Sequence, residues 1–274
     1  MRTALVVDSG CQAPAELVER LRLSVVPLTV VVDGVPLLEG AGIDAEGITA
    51  ALARGATVTT SSPSPGELLQ AYARAEQAGF DAVVSVHTGG AVSATLQAAR
   101  LAAAQAPLPV ELVDTGSASF PVTLCAWAAA DALAAGADPA SAAAAARAVA
   151  GTVGNVFVVG ALAVARRGGR LAGDVVDPAQ VPVLALAAGA MRQVAQVQDR
   201  AGAVDAMTAY VRTQAGTARL RVGVGQLGAP ELADELEQSL RGSVEVAELV
   251  RYVVGPSIAA HTGVGTVGCV FTGV

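Results

Sequence analysis

The sequence predicts an α/β protein of two domains, a doubly wound parallel sheet followed by an α/β domain with a more antiparallel sheet. Three observations carry this. The first half alternates short β-branched apolar runs with segments of helical spacing, the rhythm of a parallel sheet covered by helices. Polar and glycine residues follow those runs at Asp8-Ser9-Gly10, His87-Thr88-Gly89-Gly90 and Asp114-Thr115-Gly116. Such positions lie at the carboxyl ends of strands, where these sheets bind ligands. After Gly151 the alternation loosens, so the boundary falls near residue 150, with domains at 1–150 and 151–274.

The elements follow in order. Residues 3–8 are an apolar β run, and residues 14–23 have helical spacing. Residues 24–32 are β-branched and meet Asp33-Gly34, a hairpin turn signal. A short helix is expected near 44–54, then a hydroxyl-rich turn, then a helix over 65–77. Residues 81–86 form a strand, 87–90 a loop, 93–105 a helix and 110–113 a strand. Two alanine-rich helices, 120–135 and 139–149, imply close helix packing, the second opened by Asp138-Pro139. Beyond them, strands are expected near 156–159, 183–186, 191–198, 220–224, 244–249 and 265–271, with helices at 201–214 and 230–240.

The 274 residues are 53% hydrophobic and 15% charged, enough for a large core and against global disorder. No apolar run reaches the ~18–20 residues of a membrane span. Residues 181–191 are too few, and residues 122–137 carry Asp131. Asp8 interrupts the first apolar run before a signal-peptide core could form, so a cytoplasmic location is expected. A formal charge of −7 argues against a nucleic-acid partner. The chain has no lysine, which removes Walker-type lysines and Schiff-base chemistry. Cys11, Cys125 and Cys269 are widely spaced and odd in number, which suits structural thiols in a reducing compartment. With two histidines and no ligand spacing, no metal site is expected.

Thr60-Ser61-Ser62-Pro63-Ser64 concentrates hydroxyls before a helix start. Ser64-Pro65-Gly66-Glu67 is a capping box, which accounts for Ser64, Pro65 and Glu67 structurally. Thr59 to Ser62 remain, where free amides and a helix dipole favour a carboxylate or phosphate; a solvated polar loop is the plainer alternative. His261 lies in a glycine-rich segment, 255–268, containing a formal GxGxxG at Gly263, Gly265 and Gly268. No βαβ unit follows it, so dinucleotide binding is excluded. The glycines are expected to let the backbone turn and bring the imidazole to a pocket. Ser93-Ala94-Thr95 opens a helix, as an N-cap or as part of a site. Arg166 to Arg170 suits a solvated helix end better than an anion clamp. Ser61, His261 and Asp8 supply the residue types of a hydrolase, but no GxSxG elbow is present.

Taken in register, these segments resemble the DegV family of fatty-acid-binding proteins, the acyl-carrying subunits of bacterial fatty-acid kinases. Asp8-Ser9, Pro27-Leu28 and Thr60-Ser61-Ser62-Pro63-Ser64 match family motifs, the last being its strongest signature. So do Val92-Ser93-Ala94-Thr95, Val113-Asp114-Thr115 and Gly168-Gly169-Arg170-Leu171. Pro182-Val183-Leu184 with Gly189 and Arg200, and His261-Thr262-Gly263-Val264-Gly265-Thr266, complete the series. The resemblance implies a DegV-like fold of two α/β domains with a long-chain fatty acid in a tunnel between them. It implies that Thr60, Ser61, Ser93 and His261 hold the carboxylate. Thr95, Thr262 and Arg170 would support them or face a partner. That partner would be an ATP-dependent kinase subunit, with an acyltransferase downstream and transient contact with a membrane surface. The chain itself would be a non-catalytic binding subunit with no cofactor. Gly89, Gly90, Ala94, Ser62 and Val181 depart from the family pattern, which leaves room for a diverged member that binds another amphiphile.

Overall fold

The computed structural model describes residues 1–167, 180–187 and 189–274. In chain order the first part runs β1 (Thr3–Asp8), α1 (Ala15–Leu21), β2 (Leu23–Val26), β3 (Thr29–Val32), β4 (Val35–Leu38) and α2 (Ala45–Ala53). It continues with β5 (Val58–Ser61), α3 (Pro65–Gln77), β6 (Ala82–His87), α4 (Thr95–Ala103), β7 (Val110–Asp114), α5 (Phe120–Ala134) and α6 (Pro139–Ala150). Then come β8 (Gly154–Val158), α7 (Leu162–Arg167), β9 (Val181–Ala187), β10 (Ala190–Val197), α8 (Arg200–Ala215) and β11 (Leu220–Leu227). The chain closes with α9 (Pro230–Ser243), β12 (Val246–Val253), α10 (Pro256–Thr262) and β13 (Thr266–Gly273).

The expected parallel sheet is present, with order β2-β1-β6-β7 and every pair parallel. The expected single strand over 24–32 is two strands. Pro27 has no amide for a ladder, and the next amide, of Leu28, donates to Ser9 Oγ at 2.9 Å. The chain therefore leaves the parallel sheet after β2. β3 pairs antiparallel with β4 across Asp33-Gly34, the expected hairpin, and with β5 in a separate sheet of order β4-β3-β5, which the sequence did not suggest. Thr60 and Ser61 belong to β5, so the hydroxyl-rich stretch is partly strand and not wholly turn.

The second sheet of the α/β pattern has order β10-β9-β8-β13-β11-β12. Within this sheet, among its described pairs, only β11 and β12 are parallel; the other neighbours are antiparallel. The last strand, β13, is buried along residues 266–272 and sits between β8 and β11. α5 is buried on all sides over residues 120–127, where its sequence is almost wholly apolar, and it emerges into solvent at Asp131. One cluster runs from Val7 and Val86 of the parallel sheet through Phe120 and Leu124 of α5 to Leu227 and Val270 of the mixed sheet. Ala126 and Ala129 of α5 and Ala142, Ala143 and Ala146 of α6 are fully buried or nearly so, consistent with the close packing expected of alanine.

The capping box at α3 is complete. Glu67 N–H donates to Ser64 Oγ at 3.2 Å, and Ser64 N–H donates to Glu67 Oε2 at 2.7 Å. The positive end of α3 is thus served by the chain's own carboxylate, which leaves no case for an external anion there. Ser64→Ala is expected to cost about 1 kcal/mol in chemical denaturation, with ligand binding unchanged. Among the described residues no helix is long and apolar enough to cross a membrane.

Candidate functional site

The loops after β1, β6 and β7 face the mixed sheet across a cavity of about 150 Å³. One wall carries Leu28, Thr60, Thr88, Ser93 and Ser119; the other carries residues of β8, β9, β11, β13 and α10. Most of the lining is apolar, with hydroxyls from the loops (Thr88, Ser93, Ser119), from β5 (Thr60) and from α10 (Ser257, Thr262) among it.

His261 lies in the last turn of α10 and lines the cavity, with the glycines of its segment bounding the helix. Gly255 and Pro256 give the start of the helix. Gly263, at φ 80°, ends it in a backbone conformation that favours glycine. His261 Nε2 and Thr60 Oγ1 are 3.0 Å apart, and both residues are half-buried. Residues alternate sides along β5, so Ser61 projects to the other face, exposed, with Oγ donating to its neighbour's carbonyl at 3.3 Å. Ser61 therefore does not join the cluster.

Ser93 lines the cavity and also serves the start of α4. Thr95 N–H donates to Ser93 Oγ at 3.2 Å, and the two hydroxyls lie 2.8 Å apart. Ala94 is the N-cap of α4, and Ser93 Oγ, one residue earlier, meets the Thr95 amide while its residue lines the cavity. Thr95 is fully buried behind it. Thr262 lines the cavity with its hydroxyl donating to Ile258 O at 3.1 Å. The Arg200 guanidinium donates to Gly265 O and so ties α8 to the turn before β13; burial holds its pKa below the usual arginine range. Arg170, with the rest of Gly168 to Leu171, lies outside the described residues.

Two buried carboxylates hold the cavity walls, Asp8 of the first strand-end motif and Glu39, which no motif marked. Glu39 follows β4 and is 8% exposed. It accepts from Ser257 N–H and Ser257 Oγ at 2.9 Å each, from Ser9 Oγ, and from Gln12 Nε2 at 3.4 Å. Gln12 Oε1 in turn accepts from Gly255 N–H. Glu39 thereby satisfies the amino end of α10 from 218 positions away and sets the helix that carries His261. Pro256 at the first helical position suits this start, but neither the short helix nor its acidic partner was expected from the sequence.

Burial raises the Glu39 carboxyl above its usual range, against the opposing hydrogen bonds from Ser9 and Ser257. The folded protein therefore binds this proton more tightly than the unfolded chain. The associated stability is full below the unfolded pKa and is lost as pH rises through the raised folded value. Glu39→Gln should remove that slope. Denaturation followed upward in pH from the ordinary carboxylate range should show the variant gaining stability relative to the parent.

Asp8 is the other carboxylate. Its Oδ2 accepts from His87 Nδ1 at 3.0 Å and Thr88 N–H at 2.9 Å, and its Oδ1 from Thr88 Oγ1 at 2.8 Å. His87 Nε2 is 2.7 Å from Ser85 Oγ, which is 3.0 Å from Tyr72 OH. Ser85, His87 and Asp8 share the distances of a nucleophilic triad, but all three are fully buried, and none of them lines the cavity. Their role is to fix Thr88 in the wall. Asp8 is committed to His87, so the Ser61–His261–Asp8 hydrolase constellation is not assembled. Among the described residues no group of three or more His, Cys, Asp or Glu side chains could hold a metal ion. Burial pushes the Cys269 thiol on the cavity wall up to about 12, which keeps it protonated.

Comparison with known proteins agrees with this architecture. A DegV domain-containing protein of Streptomyces coelicolor is 36% identical, covering 97% of each chain. A DegV family protein from Thermus thermophilus, described for its fatty acid binding, superposes over both full chains with a TM-score of 0.93 and 30% identity. A Thermotoga maritima protein described as revealing a fatty acid binding function gives 0.90 and 26%, again over both full chains. The profile of the uncharacterised DegV family matches residues 2–273. From its motifs, its paired parallel and mixed sheets and this match along nearly its whole length, the chain belongs to the DegV family.

Proposed function

We propose that this chain binds one long-chain fatty acid in the cavity between residues 1–150 and 151–274, as two domains holding the ligand between them. The carboxylate lies against Thr60, His261 and Ser93. The observation that carries this reading is an imidazole–hydroxyl pair at 3.0 Å, half-buried, at the edge of an otherwise largely apolar cavity. An amphiphile with one anionic end suits that arrangement. The fatty acid binding named for the Thermus thermophilus and Thermotoga maritima neighbours supports it.

The energetics agree. About 14 buried methylenes at ~0.8 kcal/mol each give on the order of 11 kcal/mol before ordering costs. A micromolar complex needs about 8 kcal/mol. The tail sets affinity, and the hydrogen bonds set register and keep the desolvated carboxylate satisfied.

The chain's role is to present that carboxylate to a separate ATP-dependent kinase. A carboxylate oxygen attacks the γ-phosphorus, ADP leaves, and the acyl phosphate remains in the cavity for an acyltransferase. The half-buried setting of Thr60 and His261 leaves the carboxyl end reachable from outside. The absence of lysine in the chain fits catalysis by another subunit.

Native mass spectrometry of freshly purified protein tests the binding step. A co-purifying mass equal to a long-chain fatty acid is expected. A different lipid would point to another amphiphile. An empty protein that also ignores added palmitate would overturn the reading.

A further inference from the structure

The cavity has a second polar point, away from Thr60 and His261. Tyr252 of β12 forms part of its wall and is 8% exposed. Its ring stacks on Phe120 at 4.7 Å between centroids and 11° between planes. Gly225 on the neighbouring strand makes room for it: a Cβ there would lie 2.2 Å from Tyr252 Cζ. Among the described residues the Tyr252 hydroxyl has one polar contact, with Ser119 Oγ at 3.5 Å. That is far beyond the ~2.7–2.8 Å of a good O–H···O bond. Burial raises the phenol to about 12, so it stays a neutral donor.

Ser119 also lines the cavity, and its backbone, at φ 67° and ψ −151°, occupies a region that essentially only glycine adopts freely. Its hydroxyl makes no capping bond to α5. Two hydroxyls therefore share one stretched contact inside an apolar wall. Phenylalanine and glycine would fill the same space without that desolvation or strain. A ligand oxygen placed here would accept from Tyr252 and exchange a bond with Ser119. β12 leads into the amino end of α10, whereas His261 lies in its last turn, and the helix is about 10 Å long. Ser257, Ile258, His261 and Thr262 of that helix all line the cavity.

We propose that the site prefers a fatty acid bearing an oxygen on its chain, a hydroxy or oxo acid, with the substituent at Tyr252 and Ser119 and the carboxylate at Thr60 and His261. The proposal rests on the fatty-acid reading above and names the substrate class within it.

The test measures binding of octadecanoate and of monohydroxy-octadecanoates substituted near the carboxylate, in mid-chain and at the chain end. Delipidated full-length protein is used throughout. One position should bind about tenfold more tightly than octadecanoate, the worth of one good buried hydrogen bond. Tyr252→Phe keeps the ring, and in it the ratio of hydroxy to plain affinity should fall to about one. Ser119→Ala should lower the same ratio. Octadecanoate binding with no position preferred, or a preference that survives Tyr252→Phe, overturns this proposal alone. Failure of every chain to bind overturns it together with the fatty-acid reading.

Discussion

Asp8→Ala should destabilise the protein by about 3–5 kcal/mol, the range for removing one partner from a fully buried polar pair. Three donors converge on this carboxylate: His87 Nδ1, Thr88 N–H and Thr88 Oγ1. Asp8 and His87 are at 0% exposure, and Thr88 is at 6%, so water cannot easily replace the lost acceptor. Each donor left unpaired costs about 1–3 kcal/mol. The damage also spreads along the chain of His87, Ser85 and Tyr72, whose polar atoms share one network. Against a typical total of about 5–15 kcal/mol this is a large fraction. The same change frees Thr88, so a bound acyl chain should leave faster. Urea denaturation gives the first quantity, and displacement of a fluorescent fatty acid gives the second. A loss below about 1 kcal/mol would show that the network is already served by solvent. Asp8→Asn keeps the shape and one acceptor oxygen, so it should fall between the parent and Asp8→Ala.

The parts of this architecture that were legible are those specified by short-range pattern. β1, β6 and β7 are β-branched runs closed by polar loops, and the capping box at Ser64 and Glu67 spans three residues. What was hidden depends on distant partners. Pro27-Leu28 sits inside one continuous apolar run, and only the bond from Leu28 N–H to Ser9 Oγ shows why the strand divides there. α10 is seven residues long and bordered by glycines, too short for helical periodicity to show. Glu39 and Ser257 are 218 positions apart, and Asp8 and His87 are 79 apart. Neither acid carries a local sign of its partner. The hydroxyl motif was informative in type and ambiguous in direction: the two-residue period of β5 turns Thr60 toward His261 and Ser61 away from it. The motif resemblance named both residues, and the strand selects one.

His261→Ala should weaken fatty-acid binding by roughly 10- to 100-fold, the worth of a charge-assisted hydrogen bond at about 1.5–3 kcal/mol. Thr60→Val should weaken it by less, since a neutral hydroxyl supplies about 0.5–1.5 kcal/mol. The two side chains touch at 3.0 Å, so their effects should not add. The double variant should differ from the sum of the singles by about 0.5–3 kcal/mol. The tail makes no use of either group, so chain-length dependence should be the same in parent and variants. The methyl ester of the same acid separates recognition of the carboxylate from support of the wall. It keeps the tail and discards the charge. It should bind the parent more weakly than the acid does and should be almost indifferent to His261→Ala. If the ester loses as much affinity as the acid, His261 acts by holding α10 against β5, and the carboxylate must be placed at Ser93 and Thr88 instead. Isothermal titration of acid and ester against the parent, both single variants and the double variant decides between these.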